Sequence, residues 1–485
     1  MTSYRERVIL KALWGIPTEL KRGIEMEEKK NLWSSYDEAA KKELHEINEK
    51  YKACLDAGKT ERECVKLAVE MAKEAGYQDI KDVLKEGKSL KAGDKVYAVC
   101  MEKMLAMFRM GEEPLSNGMN ILGAHIDSPR IDVKQNPLYE SEGMAYLDTH
   151  YYGGIKKYQW VTGPMALHGV VAKKDGSVEE ISIGEKESVI TDLLVHLAAN
   201  QMSKKASEVI EGEKLDLLIG NSPLDKAEGL DEEEKETIKA NVLHILKENY
   251  GIEEEDFASA ELEIVPAGKA RGAGLDRSMI GAYGHDDRVC SYTEMTAEIA
   301  NTNPEWTSVV IFADKEEVGS DGNTGMHSRF LEYFLADLAE PFGVPVRRVL
   351  SNSKCLSADV SAAFDPAFAD AYEKQNSSFI NYGVCVVKYT GAGGKSSTND
   401  CNAKFTSKVC AILDNADVVW QFGELGKVDQ GGGGTVAKYI AELDVDTIDI
   451  GVPVLCMHAP MEIISKVDLY ETHRGFYEFL VAKMD

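Results

Sequence analysis

The sequence has 485 residues, with 55 Lys and Arg against 82 Asp and Glu, a formal charge of −27. A composition of 44% apolar and 28% charged residues excludes global disorder and gives enough chain for two or more domains. So acidic a chain lacks the clustered cations that nucleic acid or an anionic membrane surface demands, and neither is expected as a partner.

The N-terminal stretch MTSYRERVILKALWG has no uninterrupted apolar stretch and no small-residue cleavage site, so it does not read as a signal peptide. From Ser35, SYDEAAKKELHEINEKYKACLDAG combines strong helix formers with apolar residues at helical spacing and predicts a helix ending at Gly58. Thr60 is placed to cap a second helix, with Glu63 as its capping-box partner. The texture then changes. NILGAH (120–125), TSVVIFAD (307–314), NYGVCVVKYTG (381–391) and IGVPVLCMH (450–458) are short Val- and Ile-rich runs that predict buried parallel strands. Helical patterns between them give an α/β core.

Between roughly 136 and 274 the pattern is interrupted. GPMALHGVVAKKDGSVEEISIG predicts short alternating strands that turn at Lys174–Gly176, and the charged segment DKAEGLDEEEKETIKANVLHILKENYG reads as a solvated face or loop. The block is expected to be an inserted domain. Further on, GAGGKSS (391–397) lacks the spacing of a phosphate loop and reads as a turn. No apolar run approaches the ~18–20 residues that span a bilayer. The nine cysteines are scattered without any C-x-x-C, the usage of reduced thiols, so a cytoplasmic location is expected.

Ligand-type residues follow the apolar runs. NILGAH leads into His125-Ile126-Asp127, SVVIFAD into Lys315-Glu316-Glu317, VLSNSKCLSAD ends at Asp359 and VPVLCMH at His458. Gly284-His285-Asp286-Asp287-Arg288 lies where the insertion returns to the core. Ligand sites of open α/β sheets gather outside the carboxyl ends of strands. Two His and several carboxylates without sulfur there suit a zinc-like site. In H-x-D, residues i and i+2 of an extended segment face the same side, so Asp127 can accept the second ring N–H of His125 and fix its tautomer. Of the Glu316-Glu317 pair, one can bind metal while the other serves as general base. An aspartate such as Asp286 can bridge two metals. Any one of these residues alone is ordinarily structural; the conjunction at separate strand ends carries the argument. Histidines 45, 150, 168, 244, 285, 327 and 473 read as structural or surface groups. H-E-x-x-H, G-x-S-x-G and Walker A patterns are absent.

The ordered set GAHIDSPR, GHDDRVCSYTEM, DKEEVGS, SADVSAAFDP and MHAPMEIISKVDLYE resembles the M18 metalloaminopeptidases, the aspartyl aminopeptidase family, and its bacterial branch most of all. The resemblance spans residues 120 to about 475. It implies an α/β two-metal aminopeptidase core with a mostly parallel central sheet flanked by helices (1–135 and 275–485), interrupted by a β-rich dimerisation domain (136–274). It further implies dimers that build a homo-dodecamer, and two divalent ions per subunit, Zn, Mn or Co. His125, Asp286 and Asp359 would hold one ion, and Asp286, Glu317 and His458 the other. Glu316 would be the base, Asp127 the residue orienting His125, and Lys388, with Lys395 as the weaker candidate, the group that binds substrate. His196 lies in VITDLLVHLAANQ, an apolar stretch expected to be helical with His196 partly buried; it resembles a family motif whose histidine reaches into the neighbouring subunit's site. Two departures stand out. Asp287 occupies a position where relatives carry Asn, which leaves open whether Asp286 or Asp287 bridges, and Lys315 stands where eukaryotic members carry His. The activity implied is removal of one N-terminal residue, Asp or Glu preferred, from peptides. The rivals are a related dinuclear deacylase or carboxypeptidase and a non-catalytic assembly protein of the same fold.

Overall fold

The computed structural model describes residues 31–225, 235–302 and 304–483, with the side chains of 184–187 excepted. The N-terminal stretch read for a signal peptide, and the part of the charged segment from 226 to 234, lie outside the described residues. Helix Glu38–Ala57 starts behind Asp37, whose side chain caps the Ala40 N–H, and stops at Gly58. Thr60 caps helix Glu61–Glu74, and the Glu63 side chain returns the bond to close the expected capping box.

The apolar runs assemble into a nine-stranded sheet. Its centre is four parallel strands in the order Thr307–Ala313, Met119–His125, Lys354–Ala358 and Asp446–Gly451. Alternate side chains feed two cores. Met119 and Ile121 join one with helices Phe330–Ala339 and Val346–Asn352, while Leu122 and Ala124 join the other with helices His285–Ala300 and Lys466–Val481. Each fully buried aliphatic side chain there contributes about 1.5–3 kcal/mol. Two expectations need correction. Strand Val384–Val387, within NYGVCVVKYTG, runs antiparallel to Asp446–Gly451 and is parallel only to Trp420–Phe422. An apolar run reports burial on both faces and not strand direction. The run IGVPVLCMH is divided, with Asp446–Gly451 in the large sheet and Pro453–Leu455 in a second one.

Residues 130–266 form a closed six-stranded barrel, ordered Ala260–Pro266, Arg130–Ser141, Met144–Tyr152, Leu217–Gly220, Val178–Ile190 and Pro164–Ala172. The last two pair as a hairpin whose turn contains Lys174–Gly176, with Gly176 at φ +88°. VITDLLVHLAANQ is not one helix: the strand ends at Ile190, Val195–Leu197 form a single 3₁₀ turn, and Ala199–Met202 a short helix. Ile190 and Ala198 are buried, but the apolar side chains between them stay outside, with Leu193, Leu194, Val195 and Leu197 between 52% and 77% exposed.

A five-stranded sheet is ordered Arg271–Ala273, Met279–Ala282, Glu462–Ser465, Pro453–Leu455 and Ser361–Ala362, and its last two strands continue the chain from the carboxyl ends of Asp446–Gly451 and Lys354–Ala358. All nine cysteines are free, and Cys456 is the exposed one. Among the described residues no helix is long and apolar enough to cross a membrane.

Candidate metal centre

Strand pairing sets Ala313 opposite His125, so the strand ends that carry His125 and the Glu316–Val318 turn are level. Asp359 leaves the neighbouring strand immediately after Ala358. Asp286 and Asp287 occupy the irregular first turn of helix His285–Ala300. His458 lies three residues beyond strand Pro453–Leu455, in left-handed backbone at φ +64°. These segments converge. Asp286 stands between the two imidazoles, its Oδ1 3.2 Å from His125 Nε2 and its Oδ2 3.2 Å from His458 Nε2. Asp359 Oδ1 lies 3.8 Å from His125 Nε2, and Glu317 Oε2 3.5 Å from His458 Nε2. Glu316 clusters with His125 and Asp359, each offering an atom within 4.8 Å of the others.

The donor set fits divalent cations. Two ligands each 2.0–2.1 Å from a tetrahedral zinc stand about 3.3 Å apart, near the separations found here. Among the described residues Glu317 Oε1 is buried without a hydrogen-bond partner, a position that a cation or a proton would satisfy. Burial pushes the Glu316 carboxyl up to about 8, with Asp359 and Asp127 adding to it against the opposing His125. Burial also pushes the Asp287 carboxyl far up, reinforced by the charge of Asp359. Asp286 goes the other way. Against the burial that would raise it, hydrogen bonds from His125 and His458 hold it far below the usual carboxylate range.

Asp127 holds the site from behind in a way its spacing did not announce. The His125 Nδ1 hydrogen bond goes to the Asp127 backbone carbonyl at 3.0 Å, while the carboxylate stands at 3.3 Å. That carboxylate accepts the backbone N–H groups of Glu316 (3.1 Å) and Glu317 (3.2 Å), and the Tyr152 hydroxyl at 2.8 Å. Glu462, fully buried, accepts from the backbone N–H of Asp286 at 3.1 Å and of His458 at 2.8 Å. The Gly154 carbonyl accepts from His458 Nδ1 at 2.7 Å. Tyr152, Gly154 and Glu462 were not anticipated. Glu462 lies inside the quoted motif MHAPMEIISKVDLYE, which was the one available signal for it.

Two expected residues are not among the clustered groups. His196 is an exposed residue of the 3₁₀ turn on the barrel. Lys388 follows strand Val384–Val387 and pairs with Asp400, whose other oxygen takes Lys395. Beside Glu317 opens a cleft of about 810 Å³, walled by Asp132, Lys134, His150 and Tyr152 of the barrel, which offers room for a peptide.

The family model described as Aminopeptidase I zinc metalloprotease (M18) matches residues 54–480. A probable M18 family aminopeptidase 1 of Clostridium acetobutylicum is 51% identical over 463 residues, spanning 94% of this chain and 98% of its own. The crystal structure of an M18-family aminopeptidase from Thermotoga maritima superposes with a TM-score of 0.88 at 44% identity, covering 94% of this chain and 99% of that one. Aminopeptidase I from Clostridium acetobutylicum gives a TM-score of 0.88 at 50% identity, covering 94% and 100%.

Proposed function

The chain belongs to the M18 family of zinc metalloproteases and is an aminopeptidase, and on that premise we propose that it removes N-terminal residues, Asp and Glu by preference, through a two-metal site. The observation that carries the two-metal reading is the placement of Asp286, one oxygen toward each imidazole. His125, Asp286 and Asp359 would hold one ion, and Asp286, Glu317 and His458 the other. Asp286 and not Asp287 is the bridge in this reading, because Asp286 turns one oxygen toward each imidazole, whereas Asp287 clusters with Asp286 and Asp359 and with neither histidine.

Two divalent cations so held would polarise the scissile carbonyl and acidify a water. Glu316 takes a proton as that water attacks, and delivers it to the leaving amine. A carboxyl raised toward neutrality suits both halves of that transfer. Asp127 keeps the Glu316–Glu317 turn and His125 in fixed relation during it. Lys388 is the cation proposed to meet an acidic substrate side chain. The domain reading places catalysis in 1–135 and 275–485, and dimerisation in 136–274. Dimers of a homo-dodecamer follow from the family resemblance, supported by the exposed apolar side chains around His196. The acidic composition and the free thiols support a cytoplasmic setting.

Purified protein assayed for metal content and against a panel of aminoacyl p-nitroanilides tests this reading. About two metal ions per subunit and hydrolysis of unblocked but not N-acylated substrates are expected. Cleavage of N-acylated amino acids instead would make the protein a deacylase.

A further inference from the structure

The barrel meets the metal centre of its own chain where strand Met144–Tyr152 ends, and again where the Trp160 indole N–H donates to the His458 carbonyl at 3.3 Å. Resting on the metal-ligand reading above, we propose that the segment Tyr152–Gly154 positions both histidine ligands, Tyr152 through Asp127 and Gly154 through its carbonyl. Tyr152 donates its hydroxyl to Asp127 Oδ2 at 2.8 Å. The same carboxylate receives the N–H groups of Glu316 and Glu317, and the Asp127 backbone carbonyl fixes the His125 ring. One hydroxyl therefore helps set the rotamer of the carboxylate that holds the Glu316–Glu317 turn and stands 3.3 Å from His125 Nδ1.

The barrel fixes that hydroxyl in turn. The Arg130 guanidinium lies 3.8 Å from the centre of the Tyr152 ring, and Arg130 is itself held by Asp132 at 2.8 Å and Glu263 at 3.2 Å, both on barrel strands. Gly153 follows at φ +77°, where a Cβ would come within 3.3–3.4 Å of the Glu317 side chain. The glycine lets the chain turn against that ligand. Gly154 then presents its carbonyl to His458 Nδ1 at 2.7 Å, leaving Nε2 toward Asp286 and Glu317. A ligand histidine held through its far ring nitrogen is fixed in tautomer and direction, and losing such support typically weakens metal binding about 10–100-fold.

The test is zinc affinity, measured by competition with a chelator on the purified full chain, together with the melting temperature of the zinc-free protein. Tyr152→Phe keeps the ring under Arg130 and removes only the hydroxyl. It should bind zinc at least about tenfold more weakly, while the zinc-free protein melts within a few degrees of wild type. Gly153→Ala should also weaken zinc binding. Gly163→Ala, a barrel glycine outside the segment where an added Cβ would meet nothing within 4 Å, should not. If Tyr152→Phe fails to fold, the two glycine variants decide the matter. Unchanged affinity in Tyr152→Phe, or equal affinity in the two glycine variants, overturns the proposal. A wild type that binds no zinc removes the metal-centre reading itself, which distinguishes the two failures.

Discussion

The Lys388 ammonium lies 2.6 Å from the Asp400 carboxylate, whose second oxygen holds Lys395 at 2.9 Å. Two lysines share one acid, so the cluster keeps one positive charge in excess within a chain of −27. Selectivity for acidic residues needs such a local cation, because the long-range field repels anions. Lys388→Met should lower kcat/KM for aspartyl and glutamyl substrates by about 10–100-fold, the worth of one charge-assisted hydrogen bond, with leucyl substrates little affected. Asp400→Asn should leave or raise the acidic values. Equal losses for all substrates in Lys388→Met would remove the specificity role.

Glu316 is the group expected to move protons without holding metal. Glu316→Gln should lose about 10²–10⁴ in kcat and retain the wild-type metal content. Metal analysis of the purified variant decides between the two acids, since loss of an ion would mean that Glu316 and Glu317 have exchanged roles.

His458 reaches the site on a loop, and its imidazole is the second nitrogen donor there. His458→Ala should leave one metal site intact and strongly weaken the other. Stoichiometry near one ion per subunit at limiting zinc is the expected reading, and an unchanged two would exclude His458 as a ligand.

His196 is exposed on a barrel turn flanked by exposed Leu194, Val195 and Leu197. In the shared-site reading it donates to the neighbouring subunit's reacting oxygen, and its loss should cost about 10²–10³ in kcat. Mixing inactive Glu316→Gln subunits with His196→Ala subunits should restore partial activity once exchange is verified. Full activity of His196→Ala alone, or no recovery after exchange, would exclude the shared site.

His473 offers a pH-dependent contribution remote from the metal ligands. Burial lowers its pKa to about 4, and its Nδ1 lies 2.9 Å from the Thr296 hydroxyl. The folded chain thus holds fewer protons at this site than the unfolded one, whose histidine titrates near 6.5. Its stabilisation is complete above pH 6.5 and is lost as the pH falls toward 4, by at most about 1.4 kcal/mol for each pH unit. Thermal melts of wild type and His473→Asn should therefore differ less at pH 5 than at pH 7.5. A difference that stays constant with pH would contradict the assignment.

Local chemistry was legible in the sequence. The Thr60–Glu63 box depends on four consecutive residues and formed as expected, and the runs into His125 and Glu316 lie on adjacent parallel strands. Strand direction was not legible, because Val384–Val387 is buried on both faces whichever way it runs. The stretch around His196 misled for a related reason. Apolar spacing says that side chains seek burial but not on whose surface, and here the chain itself leaves them outside. Tyr152 was out of reach, and Glu462 was marked by nothing but its place in a motif, because their roles consist of partners distant in sequence: Asp127 for one, Asp286 for the other.

The small five-stranded sheet has a consequence for how this chain can change over time. Its pairings set Glu462 opposite Ala282, Val454 opposite Ile464 and Ala362 opposite Val454, so the approaches to Asp286, His458 and Asp359 share one register. Adding or deleting one residue in Glu462–Ser465 would turn Glu462 to the opposite face and release the backbone of two ligands together. The exposed barrel turn at Lys174–Gly176 carries no such constraint and should absorb insertions freely. Length variation among descendants of this sequence should therefore collect in the barrel turns, while the strands of the small sheet keep their length residue for residue.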